Sequence, residues 1–341
     1  MPVRLRWRGV ARAGRAACAG SVVAACAVMA VVPAQLAAAS QRQAGPAGTV
    51  IHICHAWTHD GQKRTTLADK LSRDIENALD GRGGTYALRV QDPHLGIGCG
   101  LHPGLRFDSA SVVKATILGA LLRKAQIQHR SLTASEKSLA SLMITQSDNN
   151  AATKLWNDVG RYRLQRFLDL AGMSQTVLGP SGYWGLTQIT ARDESLLLWL
   201  LLDPNPVLTT ANRNYELSLM AHVIASERFG IPAGAPAGFT VHVKNGWAPL
   251  PEADDPWYVN SIGCFTKGDG TKDYSIVVLT HQPAAHPAMS YGVTTIEDVA
   301  VVVNRDLNSA AVAAVQRSVP SPAWTVPDEP LPTASPAPPG G

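Results

Sequence analysis

The feature that most constrains this 341-residue chain is the order in which its hydrophobic periods change. From Leu67 to Leu79 apolar residues repeat at helical spacing (Leu67, Leu71, Ile75, Leu79). Thr85 to Gln91 then alternates in a β-forming pattern, and Gly96 to Leu101 continues it beyond the Asp92-Pro93 turn. A long helical middle follows, over 112–125, 137–145 behind the Thr133-x-x-Glu136 capping box, 151–158, 164–170, 193–202 and 215–224. From Phe239 the period returns to two, over 239–244, 258–265 and 274–280, with turns at Gly246 and Lys267-Gly268-Asp269-Gly270, and 295–307 closes as a helix. Strands from both ends of a domain bury a common face only by joining one sheet. The pattern therefore predicts an α+β fold, a five-stranded antiparallel sheet with flanking helices and an inserted all-helical lobe.

The ends of the chain read differently. Arg4, Arg6, Arg8, Arg12 and Arg15 precede an apolar stretch, Ser21 to Leu36, and the small residues Ala37-Ala38-Ala39, with no acid among them. This is the pattern of a secretory signal cleaved before Ser40, giving a secreted or cell-envelope protein; an uncleaved anchor is the alternative. These five arginines exceed the whole net charge of +4, so a nucleic-acid partner is not expected. No later apolar run reaches the roughly 18 residues of a membrane span, so no stable membrane insertion of the mature chain is expected. Residues 40–66 form a polar N-terminal segment, 67–308 the folded domain, and 309–341 a tail in which eight of the last 22 residues are proline, expected to be extended.

Cys54, Cys99 and Cys264 follow the signal. A Cys54–Cys99 bridge would tie the N-terminal segment to the early hairpin, a constraint of about 2–4 kcal/mol, leaving Cys264 free. His52, Cys54, His55 and His59 cluster, but no second pair stands at ligand spacing, so neither a metal nor another cofactor is expected.

Chemistry concentrates in three separated elements. Ser111 and Lys114 stand three apart at the start of an apolar helix, on one face of it. A buried lysine loses hydration and becomes a base able to take the serine proton. Ser147-Asp148-Asn149 lies in a polar gap between two helices, and Lys244-Asn245-Gly246-Trp247 ends an apolar strand. Taken singly these are an amphipathic helix, an N-cap and a hairpin exit. In this order they match the S-x-x-K, S-D-N and K-T-G set, and about residues 67 to 308 resemble a class A β-lactamase-like serine hydrolase of the serine β-lactamase and penicillin-binding protein superfamily, of bacterial origin.

The resemblance implies the β-lactamase/transpeptidase-like fold, Ser111 as the acylated nucleophile and Lys114 as its base or proton relay. It further implies that Ser147 passes a proton to the leaving nitrogen, that Lys244 holds Ser147 and attracts a substrate carboxylate, and that Asn149 binds the substrate's amide. Ser111 and Trp247 would offer backbone N–H groups as an oxyanion hole, Asn245 and Gly246 would line the substrate edge, and Arg228 would brace it.

The chain departs from the family in three places. Asn245 replaces a hydroxyl residue, exchanging it for an amide that can still donate to a carboxylate, and Trp247 replaces a small residue. Ser147 follows Ser111 by only 36 residues, which predicts a cleft wider on that side. Between Leu170 and Arg192, where class A enzymes carry their water-activating glutamate, there is neither Asp nor Glu. The expectation is a monomeric secreted serine hydrolase acting on a small-molecule or peptidoglycan-derived amide or ester, or on a β-lactam. A penicillin-binding sensor or decoy with little turnover and a structural cell-wall module are the alternatives.

Overall fold

The computed structural model describes residues 52–57, 62–180, 182–249, 257–268 and 273–309. The signal-like segment 1–39, most of the N-terminal segment and all of the proline-rich tail except Ser309 lie outside the described residues. The main sheet is antiparallel, with strand order β1-β3-β2-β8-β7-β6. Its strands are β1 (Cys54–Ala56), β2 (Thr85–Asp92), β3 (Ile97–Leu101), β6 (Phe239–Pro249), β7 (Trp257–Lys267) and β8 (Asp273–His281). Early and late strands meet where β2 pairs with β8, Leu88 opposite Val278. The α+β class is as the periods predict.

The sheet has six strands rather than five. The extra one, β1, is three residues in a polar segment, too short to show a period. Pairing and a covalent link fix it instead. Cys54 lies opposite Cys99 and is disulfide-bonded to it, and the Cys54 amide donates to the Ser72 hydroxyl (3.0 Å). With Cys54 oxidised, its thiolate cannot serve a metal. Cys264 is free and buried.

Helix α1 (Gln62–Leu79) and helix α8 (Met289–Leu307) cover one face of the sheet. Leu71, Ile75, Val299 and Val303 are wholly buried there, each contributing about 1.5–3 kcal/mol by leaving water. The other face carries the helical lobe: α2 (Val113–Ile127), α3 (Ala134–Thr145), α4 (Asn149–Val159), α5 (Arg161–Leu170), α6 (Ala191–Leu202) and α7 (Thr210–Ala221). Among the described residues no helix is long and apolar enough to cross a membrane.

The capping box works as its sequence predicts. Thr133 Oγ1 accepts from the Glu136 amide and Glu136 accepts from the Thr133 amide, while Arg130 grips the carboxylate at 2.7 and 2.8 Å and holds its pKa down at about 2. This anchors α3, whose far end leads into the Ser147 loop. A second, two-stranded sheet pairs β4 (Arg106–Asp108) with β5 (Gln188–Thr190), tying the approach to Ser111 to the segment that lacks acids.

Gly246 is not a turn. It sits inside β6, opposite Asn260, because the strand runs on to Pro249.

Candidate active site

Ser111 sits in a short 3-10 turn, Ala110–Val112, that runs directly into α2. Ala110 has φ +43°, a left-handed conformation costly for a residue with a Cβ, so the surroundings must impose it. They do so from three sides. The Ser109 amide donates to the Thr187 carbonyl (2.8 Å), the Ser109 hydroxyl donates to the Gly185 carbonyl (3.2 Å), and the Asn260 amide on β7 donates to the Asp108 carbonyl (2.8 Å). From the sheet, β6 closes on the same turn. A Cβ on Gly246 would lie 2.6 Å from the Ser109 carbonyl oxygen and 2.7 Å from the Ser111 and Val112 nitrogens. Only glycine fits at that approach.

Lys114 follows one turn later and is fully buried. Its Nζ reaches Ser111 Oγ (2.8 Å), the Ser147 carbonyl (2.5 Å), Ser147 Oγ (3.2 Å) and Asn149 Oδ1 (2.8 Å). Four acceptors exceed the three protons of an ammonium, and the neutral amine has a lone pair to receive a proton from Ser111. Burial pushes the Lys114 pKa down to about 8, against the opposing pull of Glu227 and Asp148.

Ser147, in the loop between α3 and α4, also has positive φ (+56°). The strain points its hydroxyl at two lysines, because Lys244 Nζ, from β6, donates to Ser147 Oγ at 2.9 Å and to the Asn245 carbonyl at 2.9 Å. Burial first, then the charge of Lys114, brings the Lys244 pKa down to about 7. The structure thus brings Ser111, Lys114, Ser147, Asn149 and Lys244 into one hydrogen-bonded group. Asp148 stands aside, accepting from the Ala151 amide (2.6 Å) as the N-cap of α4.

One residue departs from what its sequence position implies, and one braces the strand edge as its position implies. Asn245 is buried, and its amide hydrogens go to the Glu227 and Phe229 carbonyls (2.9 and 2.8 Å), so they are spent on backbone and are not offered to a carboxylate. Arg228 donates to the Ala221 and Val241 carbonyls (3.3 and 3.0 Å), bracing β6 from outside the cleft.

The residue that sequence reasoning missed is Glu227. Its carboxylate acts on both lysines, one of its oxygens is buried without a hydrogen-bond partner, and burial raises its pKa against their pull. No spacing rule connects it to Lys244; only the folding of the 225–227 turn against β6 does.

The Ser111 side of the site opens into a cleft of about 590 Å³ whose lining includes Asp108, Ser111, Asn149, Trp184, Trp247 and Tyr258. Its opposite wall is short and pinned. Arg161 donates to the Gly179 and Leu178 carbonyls (2.5 and 3.1 Å), and Trp184 Nε1 donates to Thr153 Oγ1 (3.0 Å). The Trp184 ring lies 4.9 Å from Lys114 Nζ. Asp193, the first acid beyond this wall, is turned into the protein, accepting from the Gln175 amide and the Thr176 hydroxyl. Among the described residues lining the cleft, the one carboxylate is Asp108.

A family model described as the beta-lactamase enzyme family matches residues 126–307, more than half of the chain, beginning after the Ser111 turn. No curated protein matches the chain in sequence. Among solved structures, the fold is similar to the TLA-1 extended-spectrum β-lactamase (TM-score 0.61, 17% identity, covering 71% of this chain and 99% of that one). It is also similar to a class A β-lactamase from Bacteroides cellulosilyticus (0.60, 18%, 70% and 98%). A third similar structure is a mutant of PBP-A solved as an acyl-enzyme complex with penicillin G (0.58, 20%, 71% and 96%).

Proposed function

The chain belongs to the beta-lactamase enzyme family, and we propose that it is a serine hydrolase of that family that acylates Ser111 readily and frees the acyl group slowly. The observation that carries the reading is the 2.8 Å contact between Lys114 Nζ and Ser111 Oγ, made by a lysine whose pKa burial has lowered to about 8. In its neutral form Lys114 takes the Ser111 proton as Oγ attacks a carbonyl carbon, and the backbone N–H groups of Ser111 and Trp247 receive the developing oxyanion. Ser147, between Lys114 and Lys244, then gives its proton to the departing nitrogen or oxygen and recovers one from the lysines. Asn149 orients the substrate amide. The product is an ester on Ser111.

Hydrolysis of that ester requires a water and a base to deprotonate it, and residues 170–192 contain no carboxylate. This supports a second reading, a penicillin-binding sensor or decoy that stays acylated; a PBP-A mutant of similar fold is an acyl-enzyme complex with penicillin G. Substrates of either reading are β-lactams or peptidoglycan-derived amides or esters. The arginine-led N-terminus and the Cys54–Cys99 disulfide support action outside the cytoplasm. Ser111→Ala tests the assignment: covalent labelling by a fluorophosphonate probe is expected in the wild type and absent in the variant, and equal labelling of the two contradicts it.

A further inference from the structure

In the proposed reaction, acylation leaves its own base behind. When the Ser111 proton has passed through Lys114 and Ser147 to the leaving group, Lys114 is again a neutral amine, placed 2.8 Å from the Ser111 Oγ that now carries the acyl group. Hydrolysis by this base needs a water that gives a proton to the amine as its oxygen bonds to the ester carbon. That proton then passes to Ser111 Oγ as the C–O bond breaks and the acid leaves. Such a water must touch Lys114 Nζ.

The surroundings of Nζ leave little room for one. Lys114 is wholly buried and lies outside the cleft lining, with polar atoms of Ser111, Ser147 and Asn149 at 2.5–3.2 Å from its Nζ. The Trp184 ring does line the cleft, and it faces the same Nζ at 4.9 Å. The indole thus stands between the amine and the cleft. It is also fastened there. Trp184 Nε1 donates to Thr153 Oγ1 (3.0 Å), and that hydroxyl donates to the Asn149 carbonyl (3.0 Å), so the ring is tied to the first turn of α4, which presents Asn149 to Lys114. Its own 3-10 turn, Trp184–Leu186, is joined to the nucleophile's turn where the Ser109 hydroxyl donates to the Gly185 carbonyl (3.2 Å).

We propose that Trp184 keeps the Ser111 ester from hydrolysis: its ring closes the cleft side of Lys114, so the amine that serves acylation is withheld from the water that deacylation needs. The inference rests on the reading that Ser111 is acylated with Lys114 as its base, and it assigns a cause to the long life of the ester. Trp184 supplies no base of its own. It acts through Lys114, as a positioning residue.

The test loads the full chain with penicillin G, removes the free drug and follows the mass of the Ser111 adduct, so that its lifetime is read apart from the rate of loading. Trp184→Ala uncovers the amine and is expected to shorten the lifetime about 10–100-fold, at or below what a positioned general base supplies, because nothing orients the water. Trp184→Phe keeps a ring over Lys114 and loses only the indole N–H, while Thr153→Val, on the exposed face of α4, takes away that N–H's acceptor. Each of these two is expected to shorten the lifetime by about threefold, the worth of one hydrogen bond, and neither opens the core. A Trp184→Phe adduct as short-lived as that of Trp184→Ala overturns the inference alone. So does a lifetime unmoved by Thr153→Val and by Trp184→Ala where that variant folds. An unmodified chain that forms no adduct or clears it at once over many turnovers, or an adduct that also forms in Ser111→Ala, overturns the acylation reading and the inference with it.

Discussion

The two walls of the cleft treat polar groups in opposite ways. On the wall that carries Ser111, Lys114, Ser147 and Lys244, two fully buried cations share one serine hydroxyl, and two residues, Ala110 and Ser147, are held at positive φ. Burying such groups costs several kcal/mol each unless they are paired, and strained backbone persists only when its surroundings over-determine it. On the wall from Gly179 to Thr187, described polar groups are spent on closing the chain: the Arg161 guanidinium donates to carbonyls, the Trp184 indole donates to the Thr153 hydroxyl, and the Gly179 amide donates to the Thr187 hydroxyl. The first wall holds the groups that the proposed acylation requires. The second carries no Asp or Glu.

Of the two walls, the first is most sensitive at its lysine. Lys114→Met removes the base while keeping the volume, so acylation of Ser111 is expected to fall by about 10²–10⁴-fold. Because an apolar isostere relieves a buried charge, Tm is expected to hold or rise. A variant that acylates normally, measured by adduct formation, would show that the packed wall is structural only.

Next in size is Gly246→Ala. The added Cβ meets backbone atoms of the Ser111 turn at 2.6–2.7 Å, which cannot swing aside as a flexible side chain would. Overpacking of this kind costs about 1–3 kcal/mol, and a displaced nucleophile loses about 10²-fold in acylation. Thermal melts and labelling rates read the two effects separately.

The smallest effect is on the pH profile. Acylation needs the lysine pair to have released a proton, so its rate is expected to climb with pH between about 7 and 8, where Lys244 and Lys114 titrate as a coupled pair. Glu227 favours the charged form of both. Glu227→Gln removes that support, so both values fall further and the ascending limb moves to lower pH, by less than about one unit. A shift to higher pH, or none in a folded variant, contradicts the role given to Glu227.

The legible part of the site was the part written in short spacings. Ser111 and Lys114 are three residues apart on a helix, Ser147 and Asn149 bracket an N-cap, and Lys244 ends an apolar strand, so their residue types carry meaning before any contact is known. Tertiary geometry determined the rest. Glu227 acts on the lysines through its charge only because the turn before β6 packs on that strand, and Asn245 looked like a donor until the Glu227 and Phe229 carbonyls met its amide. Gly246 read as a turn residue, whereas its lack of a side chain serves a close approach inside a strand. For the fold, long periodic segments located every helix of the lobe, and the three-residue β1 escaped because pairing and a disulfide hold it.

On the proposed function, one wall is equipped to acylate and the other supplies no carboxylate to deacylate. Intact-protein mass spectrometry after mixing with excess penicillin, followed over time beside Ser111→Ala, tests it directly. The expected result is an adduct of the penicillin mass on Ser111 that accumulates, persists for hours after the free drug is removed, and is absent from the variant. Rapid, Ser111-dependent conversion of many equivalents of penicillin with the protein remaining unmodified would contradict it, because a base on the second wall, or one reaching it, would then have to exist.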